Sequence, residues 1–194
     1  RNLLLNKKAV SAAEMACYAS HRAIWREIVK GKDNVALVLE DDARIVDDAA
    51  FYAAVEIVRR DHSLFDIVKL FDFYPKAISL RKTIGSTEFV SYKMLPSGAV
   101  CYLITREAAG KLLKRRRIFR AVDEDFTHAW ELDVRILSVN PNPVATDDNG
   151  LSEISASRDA VKARKNPARS IWNVFLTMNK QVRTKLYHRR LSRP

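Results

Sequence analysis

The sequence predicts an α/β domain in three layers, with helices on both faces of a mainly parallel sheet. Stretches with the apolar spacing of helices alternate along the chain with short apolar runs that are typical of strands. The chain has 194 residues, of which 47% are hydrophobic, so it can bury a sizeable core. No run approaches ~18 uninterrupted apolar residues, and we therefore expect no transmembrane helix.

The first helix is predicted to begin at Ser11, which forms a capping-box pattern with Glu14, and to end near Lys30, because Gly31 follows. The later elements alternate in the order expected of an α/β domain. They are a strand at Val35–Leu39, a helix at Asp48–Arg60 capped by Asp47 or Asp48, strands at Asp66–Phe71, Phe89–Lys93 and Ala99–Thr105, a helix at Arg106–Arg117, a short helical stretch at Asp123–Trp130 and a strand at Val134–Val139.

Three carboxylates, Glu40, Asp41 and Asp42, directly follow the Val35–Leu39 run, whose five apolar residues predict a buried strand. Adjacent like charges repel, and a divalent cation relieves the repulsion, because Mg²⁺ and Mn²⁺ prefer carboxylate oxygens. Glu40 and Asp42 share a face in extended geometry and are the candidate metal ligands, while Asp41 points toward the ribose or donor sugar. Since ligands bind beyond the carboxyl ends of strands, we predict a metal that bridges these acids to a sugar-nucleotide diphosphate. The alternative to a metal site is that these three acids form a solvated turn that binds no ion.

The helix before this strand carries the segment Ser-Ala-Ala-Glu-Met-Ala-Cys-Tyr-Ala-Ser-His-Arg-Ala-Ile-Trp, residues 11–25. It resembles the Gly-Glu-x-Gly-Cys-x-x-Ser-His-x-x-x-Trp segment of glycosyltransferase family 25, the lipooligosaccharide-type sugar transferases, in which a strand ending in Glu-Asp-Asp follows. One departure is Ala13, where the family usually has Gly. Further stretches are similar to the family in the same order: Asp66–Leu70, Gly98–Arg106 with Ala108–Leu113, and Val122-Asp123 with Trp130.

This resemblance implies a GT-A-like, Rossmann-like fold and a metal-dependent hexosyltransferase that uses Mn²⁺ or Mg²⁺. The expected reaction is inverting transfer of galactose or glucose, from a nucleotide sugar that we expect to be UDP-linked, to a lipooligosaccharide or lipopolysaccharide core acceptor. The family has an N-terminal strand and loop that help to hold the nucleotide. Because the sequence opens at Arg1, we expect these to lie upstream of it.

The resemblance also implies roles for single residues. Asp42 matches the GT-A Asp-x-Asp element and is favoured as the direct metal ligand. In the second acidic run, Asp123-Glu124-Asp125, Asp123 is the leading candidate for the catalytic base and Asp125 is the second. These acids could equally cap the short helix that follows. The candidate donor-binding residues are Glu14, His21, Asp41 and Gly98, although His21 could instead be a core residue of its helix.

Cys17 and Cys101 are the two cysteines of the chain, too few for a cysteine-rich metal site. We interpret both as buried small hydrophobic residues. Sparse cysteine usage suits a reducing compartment, so we expect a cytoplasmic protein.

Charge divides the chain into a catalytic domain, residues 1–154, and a basic helical extension, residues 155–194. The first part carries 23 Lys and Arg against 22 Asp and Glu, and the second carries 11 against one, within a net charge of +11. The extension has apolar residues at helical spacing, which favours peripheral contact with the anionic inner face of the inner membrane. The alternative is that this apolar stripe packs on the domain. The stripe consists of Ile171, Val174, Phe175, Met178 and Val182.

Two other functions are alternatives to a sugar transferase. A nucleic-acid-binding protein would suit the sequence pI of about 9.8. However, the basic charge is confined to the extension, and the acidic strand tip repels phosphate unless a metal is bound, so we do not expect nucleic acid as a partner. The second alternative is a catalytically inactive, transferase-like scaffold.

Overall fold

The computed structural model describes residues 10–74, 77–146 and 167–191. The predicted boundary between residues 154 and 155 lies outside the described residues, as do residues 1–9. The described helices are α1 Ala12–Lys30, α2 Asp48–Arg60, α3 Arg106–Leu113, α4 Val122–Phe126, α5 Ala129–Leu132 and α6 Pro167–Leu191. The described strands are β1 Val35–Leu39, β2 Ala43–Ile45, β3 Ile67–Lys69, β4 Ile78–Ile84, β5 Thr87–Tyr92, β6 Cys101–Thr105, β7 Ile136–Asn140 and β8 Val144–Thr146.

The capping box predicted for α1 is confirmed. The Ser11 hydroxyl accepts a hydrogen bond from the Glu14 amide at 3.2 Å, and the Glu14 carboxylate accepts one from the Ser11 amide at 2.8 Å. Both exchanges satisfy amides that have no partner inside the helix. From this start α1 buries Tyr18, His21 and Trp25, which follow one another at helical spacing.

The six-stranded sheet has the order β1-β6-β3-β7-β5-β4 and is mixed, not mainly parallel. Of the pairings that the structure describes within this sheet, only β3–β7 is parallel and the other four are antiparallel. The prediction of a mainly parallel sheet is therefore wrong. Strand β4, which was not predicted, forms a hairpin with β5 through Gly85 at φ +59°. The sequence also does not show that β6 is antiparallel to both of its neighbours. Apolar spacing identifies a strand but carries no information about its direction.

The predicted three layers are present, because each face of the sheet carries its own apolar cluster. Along β6, Tyr102 and Ile104 point to the cluster that packs against α1 and α3, and Cys101 and Leu103 point to the cluster that packs against α2. This alternation is the period of two expected of a strand buried on both faces.

Strand β1 lies at the edge of the described sheet, so the prediction of a buried strand is only partly correct. Val38 is buried, but Leu37 is 37% exposed and Leu39 is 44% exposed. The apolar run looked buried because a sequence does not show how many neighbours a strand has. Strands β1, β3 and β7 point the same way, since β1 and β3 both run against β6, and their carboxyl ends therefore meet at one edge of the sheet.

Helix α6 packs on the domain through its second half. Ile136 donates its amide hydrogen to the hydroxyl of Tyr187 at 2.7 Å, and Ser91 lies 3.0 Å from His188 in hydrogen-bonding contact. The apolar stripe does not pack on the domain. Its members with described side chains are 55–59% exposed, which contradicts that alternative; they are Val174, Phe175, Met178 and Val182. The side chain of Ile171 lies outside the described set. Among the helices that the structure describes, none is both long and apolar enough to cross a membrane.

Candidate functional site

The first acidic run lies at the edge of the sheet where β1, β3 and β7 end. The Glu40 amide donates to the carbonyl of Val100 at 2.8 Å, so Glu40 continues the ladder between β1 and β6. The chain then turns at Asp41 and Asp42, and the Ala43 amide donates to the carbonyl of Glu40 at 3.2 Å. The premise that Glu40 and Asp42 share a face in extended geometry is therefore wrong, whereas their assignment as metal ligands stays a prediction.

His21 joins this strand tip to the core. Its Nε2 lies 3.2 Å from a Glu40 carboxylate oxygen, and its Nδ1 lies 2.8 Å from the hydroxyl of Tyr102. Trp25 donates its indole hydrogen to the same hydroxyl at 2.9 Å, so the hydroxyl proton of Tyr102 is free to point at Nδ1. The neutral imidazole then carries its own proton on Nε2 and donates it to Glu40. His21 is a core residue, with 3% exposure, and also a neighbour of the acidic tip, so its interpretation as a core residue is confirmed and its role in donor binding stays a prediction.

Cys17 lies one turn before His21 on α1, and its thiol is within 4.8 Å of ligand atoms of His21 and Glu40. Burial raises the pKa of its thiol to about 11, with further contributions from the negative charges of Glu40, Asp123 and Glu14. Negative charge from both acidic runs therefore acts on this thiol. Cys17 is half-buried, so the expectation that both cysteines are buried is correct for Cys101 and wrong for Cys17.

Asp125 is buried, with 1% exposure, and has several partners. Tyr18 donates its hydroxyl hydrogen to it at 2.7 Å, and the guanidinium groups of Arg115 and Arg120 lie 2.8 and 3.4 Å away. Burial raises the pKa of Asp125 above its usual range, against the opposing charge of Arg115, the hydrogen bond from Tyr18 and the charge of Arg120. The side chain holds α1 and α4 to the arginine-rich loop between α3 and α4.

The other two acids of this run are partly exposed and face different neighbours. Asp123 lies in the first turn of α4 on the side of Cys17. Glu124 forms an ion pair with Lys180 of α6 at 3.1 Å, and Lys180 also approaches the hydroxyl of Thr127. The three acids of the second run therefore differ in their surroundings. The charge of Asp123 acts on the Cys17 thiol, Glu124 pairs with the basic helix α6, and Asp125 is buried in the core.

Glu14 and Gly98 have structural reasons for their identities. Glu14 is half-buried, and its carboxylate accepts from Ser11 in the capping box of α1. Gly98 has φ +123°, which side chains rarely adopt, and a Cβ there would lie 3.4 Å from the carbonyl oxygen of Phe71 and from the ring of Phe73. Roles of Glu14, His21, Asp41 and Gly98 in donor binding stay predictions.

A buried ion pair that was not predicted from the sequence lies at the same edge of the sheet. Lys69, the last residue of β3, lies 2.5 Å from Asp72 and donates hydrogen bonds to the carbonyls of Pro96 and Ser97 at 2.9 and 3.1 Å. The pair therefore fixes the backbone that leads into Gly98. The sequence carried a signal for it, since a lysine within the apolar run Ile67–Leu70 requires a partner if the strand is buried.

Much of the chain is similar in sequence to known proteins. Residues 3–127 match the sequence profile of glycosyltransferase family 25 (LPS biosynthesis protein). The chain is also similar to the lacto-N-neotetraose biosynthesis glycosyltransferase LgtE of Neisseria meningitidis serogroup B, with 28% identity over 151 residues, which are 71% of this chain and 54% of that protein. The chain spans about half the length of this curated relative. Because the family profile covers more than half of the chain, including α1 and both acidic runs, the chain belongs to glycosyltransferase family 25.

Proposed function

We propose that the protein is a metal-dependent glycosyltransferase that moves galactose or glucose, with inversion, from a UDP-sugar to a lipooligosaccharide or lipopolysaccharide core acceptor. The observation that carries the proposal is that both acidic runs contact α1, through Glu40 with His21 and through Asp125 with Tyr18, and that the first run lies at the carboxyl edge of the sheet. Ligands of open α/β sheets bind at such an edge. Family membership and the similarity to a lipooligosaccharide-type transferase support the choice of reaction and acceptor.

The residues at the strand tip fit a hard divalent cation. Glu40, Asp41 and Asp42 offer carboxylate oxygens on a turn that solvent reaches, and Asp41 and Asp42 are exposed. Glu40 and Asp42 would hold the ion, with Asp41 directed to the ribose or sugar. When bound, Mg²⁺ or Mn²⁺ supplies Lewis-acid neutralisation of the leaving diphosphate.

The remaining work falls to side chains of the chain itself. Asp123 accepts the proton of the acceptor hydroxyl, because it is partly exposed, whereas Asp125 is buried against two arginines. Glu124 is also partly exposed but forms an ion pair with Lys180. His21 fixes the position of Glu40 through its Nε2 proton. Negative charge near the sugar stabilises an oxocarbenium-like transition state, as in glycoside hydrolysis.

Calorimetry with UDP in the presence of Mn²⁺, Mg²⁺ or a chelator tests the donor site. We expect binding that depends on the metal. A parallel screen for hydrolysis of UDP-galactose and UDP-glucose tests the chemistry. Binding without turnover would favour the inactive scaffold, and no metal-dependent binding at all would overturn the proposal. Salt-dependent binding of generic DNA by the chain would favour the nucleic-acid alternative.

A second function, peripheral contact with an anionic membrane surface such as the inner face of the inner membrane, is favoured by α6. The exposed apolar stripe Val174, Phe175, Met178 and Val182 is followed by exposed Arg183, Lys185 and Arg189. Apolar side chains and cations on one helix are typical of helices that lie at a membrane surface. Each engaged Lys or Arg contributes about 1 kcal/mol near anionic lipid, and salt screens this attraction.

The packing of α6 decides how this contact should be tested. Deleting the helix would also remove Tyr187 and Thr184, which are buried in the domain, and would destabilise the fold. The double substitution Phe175→Ser and Met178→Ser changes only exposed side chains and should weaken sedimentation with anionic vesicles. Tyr52→Ser, which removes another exposed aromatic ring on α2, is the matched control. Equal sedimentation of the double variant and the control would contradict membrane contact through the stripe.

A further inference from the structure

We propose that Cys17, His21 and Glu40 form a binding site for a borderline transition metal ion, with Zn²⁺ as the expected occupant. One ligand atom of each residue lies within 4.8 Å of those of the other two, and this is the one such trio of acidic, histidine and cysteine side chains among the residues that the structure describes. The three residues come from two rigid elements: Cys17 and His21 are one turn apart on α1, and Glu40 is fixed to β6 through its amide.

The ligand types distinguish this site from the carboxylate site proposed for Mg²⁺ or Mn²⁺. A thiolate and an imidazole nitrogen are poor ligands for hard cations and favour zinc, cobalt or cadmium. Tetrahedral zinc with ordinary bond lengths places its ligand atoms about 3.3–3.8 Å apart. His21 and Glu40 are already 3.2 Å apart, and all three ligand atoms lie within 4.8 Å of one another, so a small adjustment of side chains brings them to these distances. The Glu40 side chain is 32% exposed, so water can supply the fourth ligand.

The surroundings of His21 suit a metal-bound imidazole. A histidine that binds a metal through one nitrogen normally donates the hydrogen of the other to a fixed partner. The Tyr102 hydroxyl lies 2.8 Å from Nδ1 and is itself held by Trp25. With an ion on Nε2, the ring proton would lie on Nδ1 and be donated to the Tyr102 oxygen, whose own hydroxyl hydrogen would turn away from the ring. The thiol of Cys17 loses its proton to solvent as its bond to the metal forms, so affinity should rise with pH.

Zinc at this site would remove Glu40 from the proposed Mg²⁺ or Mn²⁺ site, and this consequence rests on the proposed function. We therefore expect Zn²⁺ to weaken Mn²⁺-dependent UDP binding, and UDP with Mn²⁺ to weaken Zn²⁺ binding by the same factor. Zinc binding itself needs neither a donor nor turnover. The zinc site and the transferase activity can therefore be confirmed or contradicted independently of each other.

Titration of the metal-free chain with Co²⁺, followed by displacement with Zn²⁺, tests the site directly. A cobalt–thiolate bond gives a charge-transfer absorption band in the near ultraviolet, which a site made only of carboxylates cannot produce. We expect one equivalent of Co²⁺ to produce the band and Zn²⁺ to abolish it. Cys17→Ser should remove the band and lower Zn²⁺ affinity at least about tenfold, the low end of the loss that follows removal of even an outer partner.

Cys101→Ala is the matched control, because the other thiol of the chain is buried in the cluster on the opposite face of the sheet. The band should survive in this variant, and Glu40→Gln should weaken Co²⁺ binding without removing the thiolate signal. A thermal melt of each variant verifies that it is folded. Absence of the band in the wild-type chain, or its persistence in Cys17→Ser, would overturn the proposed site.

Discussion

The two acidic runs of this protein are identical in composition, with one Glu and two Asp each, and opposite in environment. Asp41 and Asp42 are exposed on a turn, and only Glu40 reaches inward, to His21. In the second run, Asp125 is buried in an ion-pair network. Three acids in a row therefore have no common physical role. Their role depends on whether the backbone at that point is a turn beyond a strand or a helix packed on the core.

This difference shows that acidic side chains serve two purposes in this protein. Around Asp125 the charge is neutralised inside the protein, because Arg115 and Arg120 lie beside it and Glu131 lies beside both arginines. Such charges stabilise the fold only as a complete set, since removing one leaves others buried and unpaired. At the strand tip Asp41 and Asp42 are exposed, so a cation from solution can reach their carboxylates.

The largest expected effect concerns Asp123, which lies between these two environments. Asp123→Asn should lower transferase turnover about 10²–10⁴-fold, the usual contribution of a general base, and should leave UDP affinity nearly unchanged. Steady-state kinetics and calorimetry on the same preparation separate the two quantities. Asp133→Asn is the control, because Asp133 is exposed and its left-handed backbone accepts Asn. Normal turnover in Asp123→Asn would show that another group is the base.

The buried run should be the one that matters for stability. Asp125→Asn should lower the free energy of unfolding by about 3 kcal/mol, near the low end for breaking a buried ion pair, because Glu131 still pairs with both arginines. Denaturant unfolding measures this change. Asp42→Asn, at an exposed position, should change stability by less than about 0.5 kcal/mol. Similar losses in the two variants would contradict the contrast between the runs.

The exposed run should be the one that matters for donor binding. Asp42→Asn should abolish metal-dependent UDP binding, seen as at least a tenfold (about 1.4 kcal/mol) loss in calorimetry with Mn²⁺. Asp33→Asn, an exposed acid before the opposite end of β1, is the matched control for loss of one charge. Wild-type affinity in Asp42→Asn would exclude this residue as a metal ligand.

The smallest expected effect is a dependence of stability on acid. Burial raises the pKa of Glu131, but hydrogen bonds and charge from Arg120 and Arg115 outweigh it and lower the pKa to about 2. A depressed carboxyl pKa stabilises the fold above the unfolded value of 4.5, and this stability is lost as the pH falls from 4.5 toward 2. With 32% of the side chain exposed, the contribution is on the order of 1 kcal/mol.

Chemical unfolding at several pH values between 5 and about 2.5 tests this contribution. Glu131→Gln should be less stable than wild type at pH 5, and the two curves should converge on acidification. Glu107→Gln, at an exposed glutamate of α3 that pairs with Lys111, controls for the loss of one charge. A constant difference between Glu131→Gln and wild type across this range would place the acid sensitivity elsewhere.

Much of the local structure could be predicted from the sequence, because its signals are local. The capping box of Ser11 and Glu14 fixed the start of α1, five apolar residues marked β1, and Asp47 capped α2 as expected. The three layers followed from the order of elements. Family membership was also predictable, since it rests on short motifs in a fixed order.

Only the tertiary structure decided the direction of β6, the edge position of β1, the burial of Asp125 and the exposure of the α6 stripe. Each of these depends on residues distant in sequence. Asp125 is buried because Tyr18 lies beside it, 107 positions away, and the packed face of α6 is set by contacts such as Tyr187 with Ile136. Apolar spacing states that a segment has a face to bury, whereas burial free energy depends on which neighbour covers that face.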